Sequence, residues 1–125
     1  MRFAALQGVV LVVTTLSANE ALAAGNVVNG KAIFQRTCQN CHSTQIGVNK
    51  IGPSLWSVVG RRSASVPDFN YSDSLKALNK SWDDRELDSY LSNPRGTVHG
   101  VKMFFKGLPS AQARADVIAY LATLK

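Results

Sequence analysis

Near the end of the chain, Val117, Tyr120, Leu121 and Leu124 recur at i, i+3, i+4 and i+7, the single apolar stripe of an amphipathic helix. Ser110 precedes them as a ready N-cap. A second stripe, Leu87, Tyr90 and Leu91, repeats the spacing over a shorter stretch. Ser81 followed by Asp84 resembles a capping box at its start, with Trp82 directly after the cap. Asn93-Pro94 ends it, because the residue before a proline is pushed out of helical geometry. A third helix is predicted from a cap at Asn26 or Asn29 to about Gln39, with Gly30, Phe34 and Cys38 in one row. Gly30 inside a helix costs about 1 kcal/mol relative to alanine. Two accounts fit it: another backbone comes close there, or the glycine lies in a frayed first turn.

Between these helices the pattern is irregular. Residues 43–53, with two glycines and Pro53, read as a loop. Leu55, Trp56, Val58 and Val59 make a short apolar turn, and residues 60–70 are irregular again. Ser72 and Asp73 can start a short helix reaching about Leu78. Residues 95–100 read as a loop with two glycines, followed by a further linking stretch to Pro109. Strand-like alternation and internal repeats are missing from the sequence. The expected fold is all-α: three main helices, short helices and long loops. Loops of this length are unusual in so small a domain, but a central cofactor would give them something to pack on.

The amino end reads as a targeting segment. Arg2 precedes an apolar run from about Phe3 to Leu16, and Ala21-Leu22-Ala23 is an A-x-A cleavage signal. Residues 1–23 are therefore expected to be a signal peptide and 24–125 the mature domain. The run is shorter than the ~18–20 residues that span a bilayer; an uncleaved anchor is the alternative. Fourteen basic against eight acidic residues give a net charge of +6. Cleavage removes Arg2 and Glu20 together, so the mature chain keeps that charge. A basic surface suits nucleic acid, anionic membrane or an acidic protein face. An exported chain without a nucleic-acid-binding motif argues against the first, and an acidic protein partner is the expectation. Solubility alone is the plainer explanation of the charge.

The chemistry concentrates in Cys38-Gln39-Asn40-Cys41-His42. Two cysteines three apart with histidine next read as a covalent haem site. Residues three apart share one face of a helical turn, so both sulfurs can form thioethers to one porphyrin edge while His42 binds the iron. A structural zinc site needs about four ligands, yet the chain has no other cysteine and only His99 besides His42. A thioredoxin-like pair belongs at a strand end in a βαβ setting, and no strand precedes Cys38. A disulfide across four residues would leave His42 without a role. For the second iron ligand, Met103 is the expectation: it is the only methionine beyond the leader and lies in a loop beside glycine. Methionine is otherwise a common core filler. His99 is the competitor. A His/Met pair raises the reduction potential and closes both faces of the iron; a vacant face would suggest a haem peroxidase or a sensor.

From about Gly30 to Leu121 the chain resembles class I cytochrome c of the mitochondrial and α-proteobacterial type. The likeness rests on Gly30-Lys31-Ala32-Ile33-Phe34, the Cys38, Cys41, His42 motif, Ile51-Gly52-Pro53-Ser54-Leu55, Val59-Gly60-Arg61, Tyr71-Ser72-Asp73, Trp82, Tyr90-Leu91-x-Asn93-Pro94, Lys102-Met103-x-Phe105-x-Gly107 and Val117-Ile118-Ala119-Tyr120-Leu121. The resemblance implies a monomeric, periplasmic, non-enzymatic one-electron carrier with one haem c and its iron. Haem of this kind is attached outside the cytoplasm in bacteria, which agrees with export. It implies that Gly30 and Phe34 pack against Val117 and Tyr120, and that the Pro53 carbonyl orients His42. Arg61, Tyr71 and Trp82 match the family's haem-propionate neighbours, Tyr90 the tyrosine near the methionine sulfur, and Phe105 the aromatic by the exposed haem edge. Implied partners are a quinol–cytochrome c reductase, a terminal oxidase, a photosynthetic reaction centre or a periplasmic dehydrogenase.

Three positions depart from the family pattern. His99 stands where proline is usual, Val101 where a threonine contacts a propionate, and Leu75 where asparagine is common. The last two each remove a polar group from the pocket. The double variant Val101→Thr, Leu75→Asn is therefore expected to shift the reduction potential; a redox titration that finds the two potentials equal contradicts this.

Overall fold

The computed structural model describes residues 24–125. The expected signal peptide, residues 1–23, lies outside the described residues. Five helices follow in order: α1 (Val27–Thr37), α2 (Asp73–Leu78), α3 (Asp84–Ser92), α4 (Pro94–Thr97) and α5 (Ala111–Leu121). Among the described residues the only β-type pairing is an isolated bridge between Arg62 and Ser81, so the fold is all-α. No described helix is long and apolar enough to cross a membrane.

Side-chain caps set most of the boundaries. Asn26 Oδ1 accepts the Asn29 N–H at 2.9 Å and starts α1. Ser72 and Ser110 do the same for α2 and α5, each satisfying a donor the helix cannot satisfy itself. At α3 the cap is Asp83, whose carboxylate accepts the Glu86 N–H at 2.8 Å; this corrects the expectation of Ser81. The reason is tertiary. Trp82 donates its N–H to Arg61 O at 2.8 Å, and Gly60 donates to Trp82 O at 2.7 Å. This short ladder holds residues 80–82 extended against residues 60–63. Asn93-Pro94 stops α3 but also starts α4, where a loop was expected. Asn93 Oδ1 accepts the Gly96 N–H at 3.1 Å, and Pro94 occupies the first helical turn, where a missing N–H costs nothing.

The frame is the crossing of α1 over α5. A Cβ at Gly30 would overlap the Asp116 carbonyl oxygen and press on Tyr120 Cβ. Of the two accounts of Gly30, close backbone approach is the observed one. Phe34 and Tyr120 meet with ring centroids 5.5 Å apart. Asp116, buried in the same crossing, accepts the Asn26 N–H at 2.8 Å and the Gln112 amide at 2.9 Å. A carboxylate at the start of α1 also complements that helix's dipole. The Asn26 N–H first, then Gln112, hold the Asp116 carboxyl below its ordinary pKa; burial opposes them, weakly.

Ile33, Phe34, Val58, Trp82, Leu87, Val117, Ile118 and Leu121 form the core. α3 is tied to α5 by Arg114, whose Nε lies 2.7 Å from Asp88 Oδ1. Leu55, Val59, Leu75, Leu78, Leu91 and Leu108 lie against that core but are only half covered. α2 has no buried residue, although Leu75 and Leu78 turn toward the core.

Gly30→Ala should lower unfolding free energy by about 1–3 kcal/mol through overpacking, opposite in sign to the ~1 kcal/mol gain that helix propensity alone would give; denaturant titration reads the sign. For Asp116 the folded pKa is depressed, so its stabilisation is complete above the unfolded value near about 4 and is lost as pH falls through the folded value. Asp116→Asn should be less stable than wild type at neutral pH, and the gap should close in melts run below about pH 4.

Candidate functional site

Cys38 is the C-cap of α1, so the site begins where the helix frame ends. Its carbonyl accepts the N–H groups of Cys41 at 3.1 Å and His42 at 2.9 Å. The chain is thereby wound into one further turn that carries both sulfurs and the imidazole. Both cysteines are half-buried and are not joined to each other, and Cys38 packs against the core. Burial, with Cys41 adding, pushes the Cys38 thiol up to about 11. Redox-active dithiols have the opposite character, a depressed pKa. Among the described residues no three histidine, cysteine or acidic side chains cluster as a metal site would need. The zinc cluster and the low-pKa redox pair thus find no support here, and the two sulfurs are not joined to each other as a disulfide.

His42 is fixed from below by the loop that follows it. Gly52 donates its N–H to Cys41 O at 2.8 Å, which brings Pro53 O to 2.8 Å from His42 Nδ1. A carbonyl can only accept, so Nδ1 carries the proton and Nε2 keeps its lone pair for a metal. Gly52 lies so close that a Cβ there would overlap the imidazole ring. Burial pulls the His42 pKa below its ordinary value; the Pro53 contact opposes this, and the charges of Arg61 and Lys50 add to it. Neutral imidazole, the ligating form, is therefore favoured.

His42 Nε2 faces Met103 Sδ at 3.4 Å. The Met103 segment is held by Val98 N–H on Pro94 O at 3.0 Å and Leu108 N–H on Leu91 O at 2.7 Å. Between these anchors, residues 99–107 make no backbone–backbone hydrogen bond. A metal ion held by both atoms would need them farther apart than 3.4 Å, and no backbone hydrogen bond of residues 99–107 opposes that. His99 is exposed.

Arg61 Nη1 donates to Ser54 O at 2.9 Å and Trp56 O at 2.7 Å. Its Nε is buried without a partner. Burial lowers the Arg61 pKa, with Tyr71 opposing, so the two side chains lie close enough to interact. An orphaned charged donor in a folded interior calls for an acceptor. Tyr71 is buried, accepts the Val66 N–H at 3.1 Å and meets Phe69 edge-on at 4.8 Å. Trp82 joins this side through its backbone pairing with Arg61. The Tyr90 ring packs on Trp82 at 5.1 Å, and burial raises its hydroxyl pKa; no hydrogen bond joins Tyr90 to Met103 among the described residues. Phe105 is half-buried, whereas Phe104 is exposed with the Arg95 guanidinium 5.7 Å from its ring centre. Sequence reasoning gave no role to Asn49 or Ser54. Asn49 Oδ1 accepts the Ser54 N–H at 2.9 Å, and Ser54 Oγ donates to Gln45 O at 2.6 Å. Their only advance signal was membership of a polar loop.

A half-covered apolar shell, an unpartnered arginine donor and an imidazole opposite a thioether together fit a flat apolar macrocycle with a central metal and acidic edge groups. The comparisons agree. The family model "Cytochrome c" matches residues 27–125. Cytochrome c of Euglena viridis is 43% identical over 81% of this chain and 99% of its own length. Cytochrome c2 of Rhodomicrobium vannielii is 47% identical over 82% of each chain, and cytochrome c2 of Rhodopila globiformis 45% identical over 81% of this chain and 95% of its own. Gly52→Ala should displace the imidazole from Pro53 and cost about 1–3 kcal/mol; an unchanged denaturation midpoint contradicts the contact.

Proposed function

The chain belongs to the cytochrome c family, and from that premise we propose that it is a soluble periplasmic electron carrier whose haem iron is held between His42 and Met103. Members of this family carry a covalently bound haem c, and this chain is a monohaem electron carrier of that kind. Bound here, the haem supplies a one-electron Fe(II)/Fe(III) couple. Cys38 and Cys41 provide the two thioether anchors on the turn that caps α1. Pro53 O holds the His42 proton on Nδ1 and so aims Nε2 inward. Met103 would supply the second ligand, opposite His42, and a site so held would favour electron transfer over peroxide or oxygen chemistry. Arg61, Tyr71 and Trp82 hold the propionates, with the unpartnered Arg61 Nε as the donor.

The observation that carries this reading is the approach of His42 Nε2 to Met103 Sδ. Residues 1–23 direct the chain to the periplasm and are then removed. Lys102 and Lys106 are exposed on either side of Met103 and form a basic rim for acidic partners: a quinol–cytochrome c reductase, a terminal oxidase, a reaction centre or a dehydrogenase. Such encounters bury less than about 1,200 Å² and weaken with salt. The carrier works as a monomer.

The ferric protein should show the weak absorption band at the red end of the visible spectrum that marks a sulfur–iron bond. His99→Ala should keep that band, and Met103→Ala should lose it together with a fall in reduction potential. A band that survives Met103→Ala, or that the wild type lacks, contradicts the ligand assignment.

A further inference from the structure

Asn29 is followed by Gly30, whereas every other asparagine of the chain precedes a larger residue. An Asn-Gly step carries a latent reaction. The glycine nitrogen can attack the side-chain amide carbon of the asparagine, and without a Cβ nothing shields that nitrogen. A bond forms between the nitrogen and Cγ, and the amide leaves as ammonia, taking up the proton that the nitrogen gives up. A cyclic imide remains. Water opens it at one carbonyl to aspartate, or at the other to an isoaspartyl residue whose main chain runs through Cγ. Nothing is oxidised or reduced.

The folded protein blocks this reaction by geometry rather than by burial. Asn29 is exposed and borders an open cleft between α1 and α5. It lies in the first turn of α1, where a helical ψ of about −42° keeps the following nitrogen out of the line of attack. Gly30 donates its N–H to Asn26 O at 2.9 Å. The Asn29 side chain is itself hydrogen-bonded to the Asp116 carboxyl. The Gly30 backbone lies so close to the Asp116 carbonyl and to Tyr120 Cβ that it has no room to swing. The helix crossing therefore demands the glycine that makes the step reactive, and its contacts hold that step in the unreactive form.

We infer that Asn29 is a deamidation site gated by the α1–α5 crossing, closed in the folded protein and open in a chain whose first helix is undocked. The isoaspartyl product makes the opening one-way. Its additional main-chain carbon falls between Asn26 O and the Gly30 N–H, so the first turn of α1 loses its register. A carboxylate also replaces the amide that met Asp116. A chain that stays unfolded is thereby withdrawn from the folding pool, while a folded one is protected in proportion to the free energy of local opening. The iron ligands and the partner surface play no part in this gate.

The test incubates purified holoprotein at mildly alkaline pH, in buffer and in denaturant, with Asn29→Gln in parallel. Mass spectrometry of the peptide containing Asn29 reads the exchange of amide for acid, and an isoaspartate methyltransferase reads the isoaspartyl product. Asn29 should react at least about tenfold faster in denaturant than in buffer. Returned to buffer, the isoaspartyl fraction should unfold at a lower denaturant midpoint than unmodified protein. Asn29→Gln, which keeps the amide but closes the ring poorly, should regain its starting midpoint after the same treatment. Equal rates in buffer and denaturant overturn the gate, and reaction at other asparagines that spares Asn29 overturns the site. An isoaspartyl protein with the unmodified midpoint overturns the one-way step.

Discussion

The site depends on one proton held in one place. Because Pro53 O can only accept, the proton of His42 stays on Nδ1, and the lone pair of Nε2 faces the interior. Several otherwise separate features serve that contact. Gly52 has no side chain where one would strike the ring. Its N–H is tied to Cys41 O, so the loop returns to the residue that precedes the histidine. Burial favours the neutral imidazole. Were Nδ1 turned away, Nε2 would have no defined aim and Met103 would face nothing in particular.

The helices provide the platform for this contact. The crossing of α1 and α5 at Gly30, with the Phe34–Tyr120 ring pair and the Asp116 hydrogen bonds, fixes where α1 ends. Cys38 is that end, so the anchoring turn inherits the rigidity of the best-packed part of the molecule. The other side of the interior is built from short helices and loops whose leucines are half covered. That imbalance has a simple physical meaning. The half-covered leucines leave apolar surface that a covalently held porphyrin, the cofactor of this family, would cover.

Much of this was legible in the sequence, and what was not has a common cause. The stripes at Val117, Tyr120 and Leu121 and at Leu87, Tyr90 and Leu91 identified helices α5 and α3, since period 3.6 is a local property. The side-chain caps at Asn26, Ser72 and Ser110 were also local and lie where their residue types suggest. Ser81 misled because its neighbours are drawn into pairing with residues 60–63, and the cap passed to Asp83. α4 was missed because Asn93-Pro94 carries two opposite signals, a stop and a start. Gly30 could be read two ways until the backbone of α5 was seen against it. The bracing of the 43–53 loop by Asn49 and Ser54, and the meeting of His42 with Met103 across 61 residues, depend on tertiary contacts that no local spacing encodes. The packing of Tyr90 on Trp82 is of the same kind.

The central claim is that a porphyrin is joined to the chain through two sulfurs and forms its interior. The most direct test is the intact mass of the denatured, exported protein before and after extraction with acidified organic solvent. The account predicts the mass of the polypeptide plus one haem in both samples, with the red colour remaining in the protein. A mass equal to the bare polypeptide, or colour that passes into the solvent, would contradict it.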